Sequence, residues 1–220
     1  MTHSQDPFAA AQSTSNRQLG LEVVKALSSK GFEAVYADNR QQALDEVLNL
    51  IPQNSTVGIP GSVTIRQIGA LEKLSERGCT IAQHWDPSLS PEEKKEVLKK
   101  EFLSDYFLTS SNALTQDGML VNIDGTGNRV SAMAWGTNTL IFVVGINKIA
   151  RDIDSALARI RDKATPPNAI RLNIDTPCTH VGHCVNCNSQ SRVCRAVLIL
   201  ERPTMGRKTH VIVVGENLGY

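Results

Sequence analysis

The sequence predicts an α/β protein: a Rossmann-like, mostly parallel sheet with helices on both faces, plus antiparallel hairpins and a Cys-rich loop. Three observations carry that expectation. Strand-length and helix-length patterns alternate along most of the chain. The segment "TLIFVVGI" (139–146) is continuously apolar, as strands buried on both faces are. Glycine-rich turns stand where a strand hands over to a helix, at 58–61 and 125–127, as they do at the ligand-binding edge of open α/β sheets.

Residues 1–14 are polar and contain no apolar core for a secretory leader. "HSQDP" resembles an expression-vector remnant, so this stretch is expected to be disordered and the domain to span 15–220. Leu19, Val23, Ala26 and Leu27 share one face of a helix over 15–31, which Gly31 stops. A strand over 32–37 and an amphipathic helix over 39–51 follow, the helix closed by Pro52. "STVGI" (55–59) reads as a buried strand, 62–78 as one helix, and "CTIAQHW" (79–85) as another strand. Ser90, Pro91 and Glu93 form a capping-box signature at the head of a helix over 90–103.

A strand over 105–110 leads to a hairpin over 112–124 that turns at Asp117-Gly118. After a short helix in "GTGNRVSAMAWG" and the apolar strand, Ile149, Ile153, Leu157 and Ile160 recur at helical spacing. A Cys-rich segment over 176–195 precedes two strands, "AVLILER" and "HVIVVGE", expected to close the chain as a late hairpin around the turn "PTMGRKT".

Composition narrows the function. The 220 residues carry 23 basic and 22 acidic side chains, a net charge of +1, which steers a protein neither to nucleic acid nor to an anionic membrane. Aromatics are sparse and not interleaved with basic runs, unlike the stacking platforms for single strands. No apolar run reaches the roughly 18 residues a membrane span needs. A cytoplasmic protein with a small-molecule ligand is expected, with homo-oligomerisation left open.

Two clusters suit an anion. In "GIPGSVTIRQIG", Gly61 permits a tight turn while Ser62 and Thr64 can cap the next helix. The P-loop ending and the dinucleotide G-x-G-x-x-G are both missing. In "DGMLVNIDGTGNRV", Gly125, Thr126 and Gly127 precede Asn128 and Arg129, whose planar fork suits a carboxylate or phosphate. Asn122 and Asp124 stand beside them. Lys148, just past the apolar strand, is a third candidate for the same anion. Each has a plain alternative: a capped turn, a surface ion pair, a solvated lysine.

"CTHVGHCVNCNSQSRVC" holds four of the five cysteines, Cys178, Cys184, Cys187 and Cys194, at C-x5-C-x2-C-x6-C spacing. In a reducing compartment such a group points to metal or redox chemistry rather than disulfides. Zinc sites favour two C-x2-C knuckles, and only Cys184 and Cys187 form one. An iron–sulfur cluster, of the four-iron type, therefore stands ahead of zinc. His180 and His183 are expected to support the ligands rather than join them, and Arg192 to bond a cluster sulfur. Cys79 lies in a strand and reads as core. His84 and Trp85 end that strand, at the border of the pocket or simply packed at a loop.

Together, "GIPGSVTIRQIG", "SSNALTQDGMLVNIDGTGNRVSAMAWG", "VVGINKI", the cysteine segment and "VIVVGENLGY" resemble the lactate-utilization (LUD) domain family. The resemblance implies a fold similar to sugar-phosphate isomerases and CoA transferases, with ligands over the strand ends. It also implies a part in iron–sulfur systems that oxidise L-lactate to pyruvate, beside other iron–sulfur subunits. The chain lacks the ferredoxin-type C-x2-C-x2-C-x3-C run of the subunit that carries two clusters. "NALTQDGMLVNIDGT" is also similar to a stretch of methylthioribose-phosphate isomerases, without their catalytic constellation. The alternatives are an isomerase or transferase of a phosphorylated or CoA-linked molecule with a structural metal, and a non-catalytic metabolite-binding subunit.

Overall fold

A computed structural model describes residues 7–220. Six parallel strands form the central sheet: β1 (Glu33–Ala37), β2 (Thr56–Gly58), β3 (Thr80–Ala82), β4 (Tyr106–Thr109), β7 (Thr139–Gly145) and β10 (Thr209–Val214), in the order β1-β10-β7-β4-β2-β3. A second sheet of four strands has the order β8-β5-β6-β9, from β5 (Ala113–Thr115), β6 (Leu120–Asp124), β8 (Ile149–Ala150) and β9 (Ala196–Leu200).

The apolar runs of β7 and β10 divide by period two between two cores. Ile141, Val143, Ile212 and Val214 pack on one side with residues of α2 (Arg40–Leu50), α3 (Val63–Gln67) and α4 (Ala70–Glu76). Phe142, Val144, Val211 and Val213 face the other side, against Val23 and Leu27 of α1 (Pro7–Ser29) and Leu114, Leu120 and Leu200 of the second sheet. Helices thus cover one face, and helix α1 with the small sheet covers the other. Full burial of each such side chain contributes about 1.5–3 kcal/mol, which is why both faces of a strand can be apolar.

Local signals place most elements. Asn39 caps α2 by accepting from Gln42 N at 3.0 Å. Ser90 and Glu93 form the reciprocal capping box of α5 (Pro91–Leu103). The expected hairpin is the antiparallel pair β5–β6, with Gly118 at φ +85° where a Cβ would press on the α1 backbone.

Four expectations need correction. The start of the chain is helical from Pro7, so residues 7–14 are not irregular; residues 1–6 lie outside the described residues. The helix expected over 62–78 is two helices, parted by Gly69 at φ +73°. Ile149 belongs to β8, and the helical run begins at Ile153: α7 (Ile153–Arg159), a π-helical turn (Ile160–Ala164) and α8 (Thr165–Arg171). The last two strands do not pair with each other: β9 lies antiparallel to β6, and β10 runs parallel between β1 and β7. Among the described residues, no helix is long and apolar enough to cross a membrane.

Candidate functional site

A cavity of about 420 Å³ lies beyond the C-terminal ends of β2, β4 and β7, which are neighbours in the central sheet. The second sheet supplies its other wall through Ile123 and Asp124 of β6, joined by Asn112 just before β5, and the loop before β9 adds Val193 and Cys194. Parallel strands end with their carbonyls and following loops on one side, so polar residues placed just after each strand converge there.

Lys148 is the central group. It ends a one-turn segment, Ile146–Lys148, directly after β7, and is 4% exposed. Its Nζ donates to Thr64 Oγ1 of α3 at 2.8 Å and to Ser110 Oγ, just past β4, at 3.0 Å. Both partners are hydroxyls, so neither neutralises an ammonium. Burial first, then the nearby Arg159 and Arg129 charges, bring its pKa from the ordinary lysine value down to about 7. Gly219 sits against this pair at φ +64°, where a Cβ would lie 2.9 Å from Nζ.

Arg129 enters from the start of α6 (Asn128–Ala134). Its Nη2 donates to Asn112 Oδ1 at 2.9 Å and to the Ile123 carbonyl at 2.8 Å. Among the described residues its Nε and Nη1 have no hydrogen-bond acceptor, and the side chain lines the cavity. Asp124 Oδ2 accepts from the backbone N–H of Arg129 at 3.0 Å and of Val130 at 3.2 Å, doing the N-terminal capping that Gly127 has no side chain to do. Arg159 donates to the Asn147 and Asn112 carbonyls, at 3.0 and 2.6 Å, and so holds the segments on either side of Lys148 and Ser110.

Nearer the outer edge, His84 and Trp85 line the cavity rather than merely packing at a loop. Glu101, 2% exposed, accepts on one oxygen from both the His84 backbone N–H and its ring Nδ1 side, each at 2.7 Å. Burial raises the Glu101 pKa, against the lowering by His84. The Trp85 ring lies between two guanidinium groups, Arg171 at 4.0 Å and Arg66 at 4.9 Å.

Of the residues the sequence singled out, Gly61, Ser62, Thr64, Asp124, Gly125, Thr126, Asn128, Arg129 and Lys148 line this one cavity. Asn122 and Gly127 do not line it. Asn122 is fully buried, accepting from Asn112 N at 3.0 Å and donating to Ser111 Oγ at 3.1 Å, so it braces the loop behind the site. Gly127 is the residue before α6, at φ +86°. The sequence reading passed over Ser110, Ser111, Asn112, Arg159 and Gly219. The polar run "SSN" directly after a buried strand was a usable signal; Gly219 reaches the site only through tertiary packing.

The cysteines divide. Cys79 is buried in the core on the helical side, as expected. Cys178 opens α9 (Pro177–Val181) at 7% exposure, its Sγ 3.3 Å from Thr176 Oγ1. Cys184 Sγ accepts from Asn186 N at 3.3 Å, and Cys194 Sγ lies 3.5 Å from Thr165 Oγ1. Among the described residues, no group of three or more His, Cys, Asp or Glu side chains is arranged to hold a single metal ion. The Cys194 thiol pKa is raised, by burial first, against the lowering by the Thr165 hydrogen bond and the Arg192 charge. Arg192 donates to the Cys194 and Cys187 carbonyls rather than to a sulfur. His180 pairs with the exposed Asp175 at 2.7 Å, and His183 Nδ1 lies 3.1 Å from the Cys184 carbonyl, so neither supports a thiol.

The LUD domain family model matches residues 21–214. No curated protein matches the chain. Among solved structures, the crystal structure of a DUF162 family protein from Deinococcus radiodurans is similar in fold, with a TM-score of 0.50 at 13% identity. The match covers 90% of this chain and 98% of that one.

Proposed function

The chain belongs to the LUD domain family, and from the cavity it builds we propose that it binds a small carboxylate anion, a 2-hydroxy or 2-oxo acid such as lactate or pyruvate, and serves its oxidation as an oxidoreductase component. The observation that carries this is Lys148: a buried amine held by two hydroxyls in the cavity, with Arg129 beside it on the wall. A buried lysine whose charged neighbours are guanidinium groups, with the partly buried Arg129 and its neighbour Asp124 on the wall, favours an anion of matching size. A cavity of about 420 Å³ suits a metabolite rather than a macromolecule.

Support for an iron–sulfur cluster on Cys178, Cys184, Cys187 and Cys194 comes from their close spacing in sequence and from Cys194 lining the cavity. A four-iron cluster takes each thiolate on a different iron, so its ligands stand further apart than those around one zinc ion. Such a cluster would supply one-electron transfer, to partner subunits of the same chemistry. Zinc would instead serve structure alone.

Calorimetric titration with L-lactate and with pyruvate tests the pocket. The wild type is expected to bind one or both, and Arg129→Lys, which keeps the charge but loses the fork, to weaken binding at least tenfold. Absence of binding heat for both acids overturns the proposal. Anaerobic iron and sulfide analysis with an absorption spectrum tests the cluster; protein that refuses iron and sulfide on reconstitution removes it.

A further inference from the structure

We propose that Lys148 is a covalent site: its amine condenses with the carbonyl of a bound 2-oxo acid to form a Schiff base. The inference rests on the reading that the cavity takes a small 2-hydroxy or 2-oxo carboxylate, and it assigns that cavity a reaction rather than a binding role alone.

The geometry is that of an amine kept from being an ordinary ammonium. Lys148 is 4% exposed, and its two hydrogen-bond partners are the hydroxyls of Thr64 and Ser110. A lysine has three donor positions when charged, and these two bonds leave one direction toward the cavity it lines. Its charged neighbours are guanidinium groups, Arg159 and Arg129, and not carboxylates. A desolvated lysine beside like charge is the arrangement that makes an amine nucleophilic near neutral pH. A pKa of about 7 supports it, since roughly half the amine is then neutral at pH 7, against less than about one part in a thousand for a free lysine.

The remaining groups serve the same step. In condensation the Nζ lone pair forms a bond to the carbonyl carbon, and the carbonyl oxygen takes a proton. The carbinolamine then expels that oxygen as water while nitrogen gives up its second proton, leaving C=N. Atoms and charge balance without an oxidant. Thr64 and Ser110 hydroxyls, each already within 3.0 Å of Nζ, can relay the protons. Arg129, whose Nε and Nη1 have no other acceptor among the described residues, would donate from one of them to the carboxylate of the same molecule, leaving the carbonyl for the amine. Gly219 also lines the cavity, and a Cβ there would lie 2.9 Å from Nζ, so the glycine keeps the approach to the amine open.

The test is reductive trapping. The full chain is incubated with pyruvate, treated with sodium borohydride, and its intact mass and tryptic peptides are measured, with calorimetry on the same sample. The expected result is a mass gain of one reduced pyruvyl group on the peptide carrying Lys148, and its loss in Lys148→Arg. A second lysine, Lys94, also lines the cavity, so Lys94→Ala is expected to keep the adduct. Pyruvate that binds but leaves no adduct, or an adduct on another lysine, overturns the inference while the binding proposal stands. Pyruvate that neither binds nor reacts overturns the inference, and the binding proposal falls with it when L-lactate gives no binding heat either. Should Lys148→Arg fail to fold, peptide mapping of the wild type still locates the adduct.

Discussion

Lys148 Nζ donates to Thr64 Oγ1 at 2.8 Å, joining the end of β7 to the first turn of α3 across the middle of the sheet. The bond ties two segments that sequence analysis flagged separately. The protonation behaviour of the cavity floor is set by burial first and then by the Arg159 and Arg129 charges.

A pH-dependent stability follows. The pKa of Lys148 falls from an ordinary 10.5 to about 7 on folding. Between those values the unfolded chain holds the extra proton, so this group makes stability rise with pH through that window and is most costly below about pH 7. Relative to Lys148→Met, the wild type is expected to gain a few kcal/mol, about, between pH 6 and pH 10. Urea unfolding of both proteins across that range measures the gap; a gap independent of pH would refute the buried-amine assignment.

Glu101 is expected to be indispensable to the outer part of the site. Its buried carboxylate takes both the backbone and ring bonds of His84. Glu101→Ala leaves two donors unpaired, at about 1–3 kcal/mol each. Chemical denaturation reads the loss, and a heteronuclear spectrum reads release of the His84 ring. Unchanged His84 ring resonances in Glu101→Ala would show that the ring is placed by something else.

Asp124 acts by capping, so its removal should be felt in α6 and in Arg129 together. Asp124→Ala is expected to cost about 1 kcal/mol and to weaken anion binding more than its charge change allows, since removing a negative group alone would favour an anion. Tighter binding in that variant would mean that Arg129 holds its place without the cap.

Gly61 stands at φ +73° with Trp85 packed on it, so any Cβ overlaps the indole. Gly61→Ala should displace Trp85 and red-shift its fluorescence, with Trp85→Phe identifying the signal against Trp135. A spectrum identical to wild type would place Trp85 elsewhere than between Arg66 and Arg171.

The sequence determined the alternation of strands and helices, the cap at Ser90, and the buried strands, because each rests on bonds within a few residues or on a pattern of period two. It also picked out most of the cavity's polar lining, since residues just after parallel strands share one edge. What it did not carry was the meaning of each position. Asn122 looked like a ligand group and proved to be a fully buried brace, while Ser110 and Asn112 lay unremarked in a polar run. The break at Gly69, the separation of β9 from β10, and the meeting of Lys148 with Thr64 were decided by tertiary structure alone. The physical reason is that desolvation and partner choice depend on what lies across the fold: the same lysine beside a carboxylate would be a plain cation, and beside two hydroxyls and two guanidinium groups it is an amine poised near neutral pH.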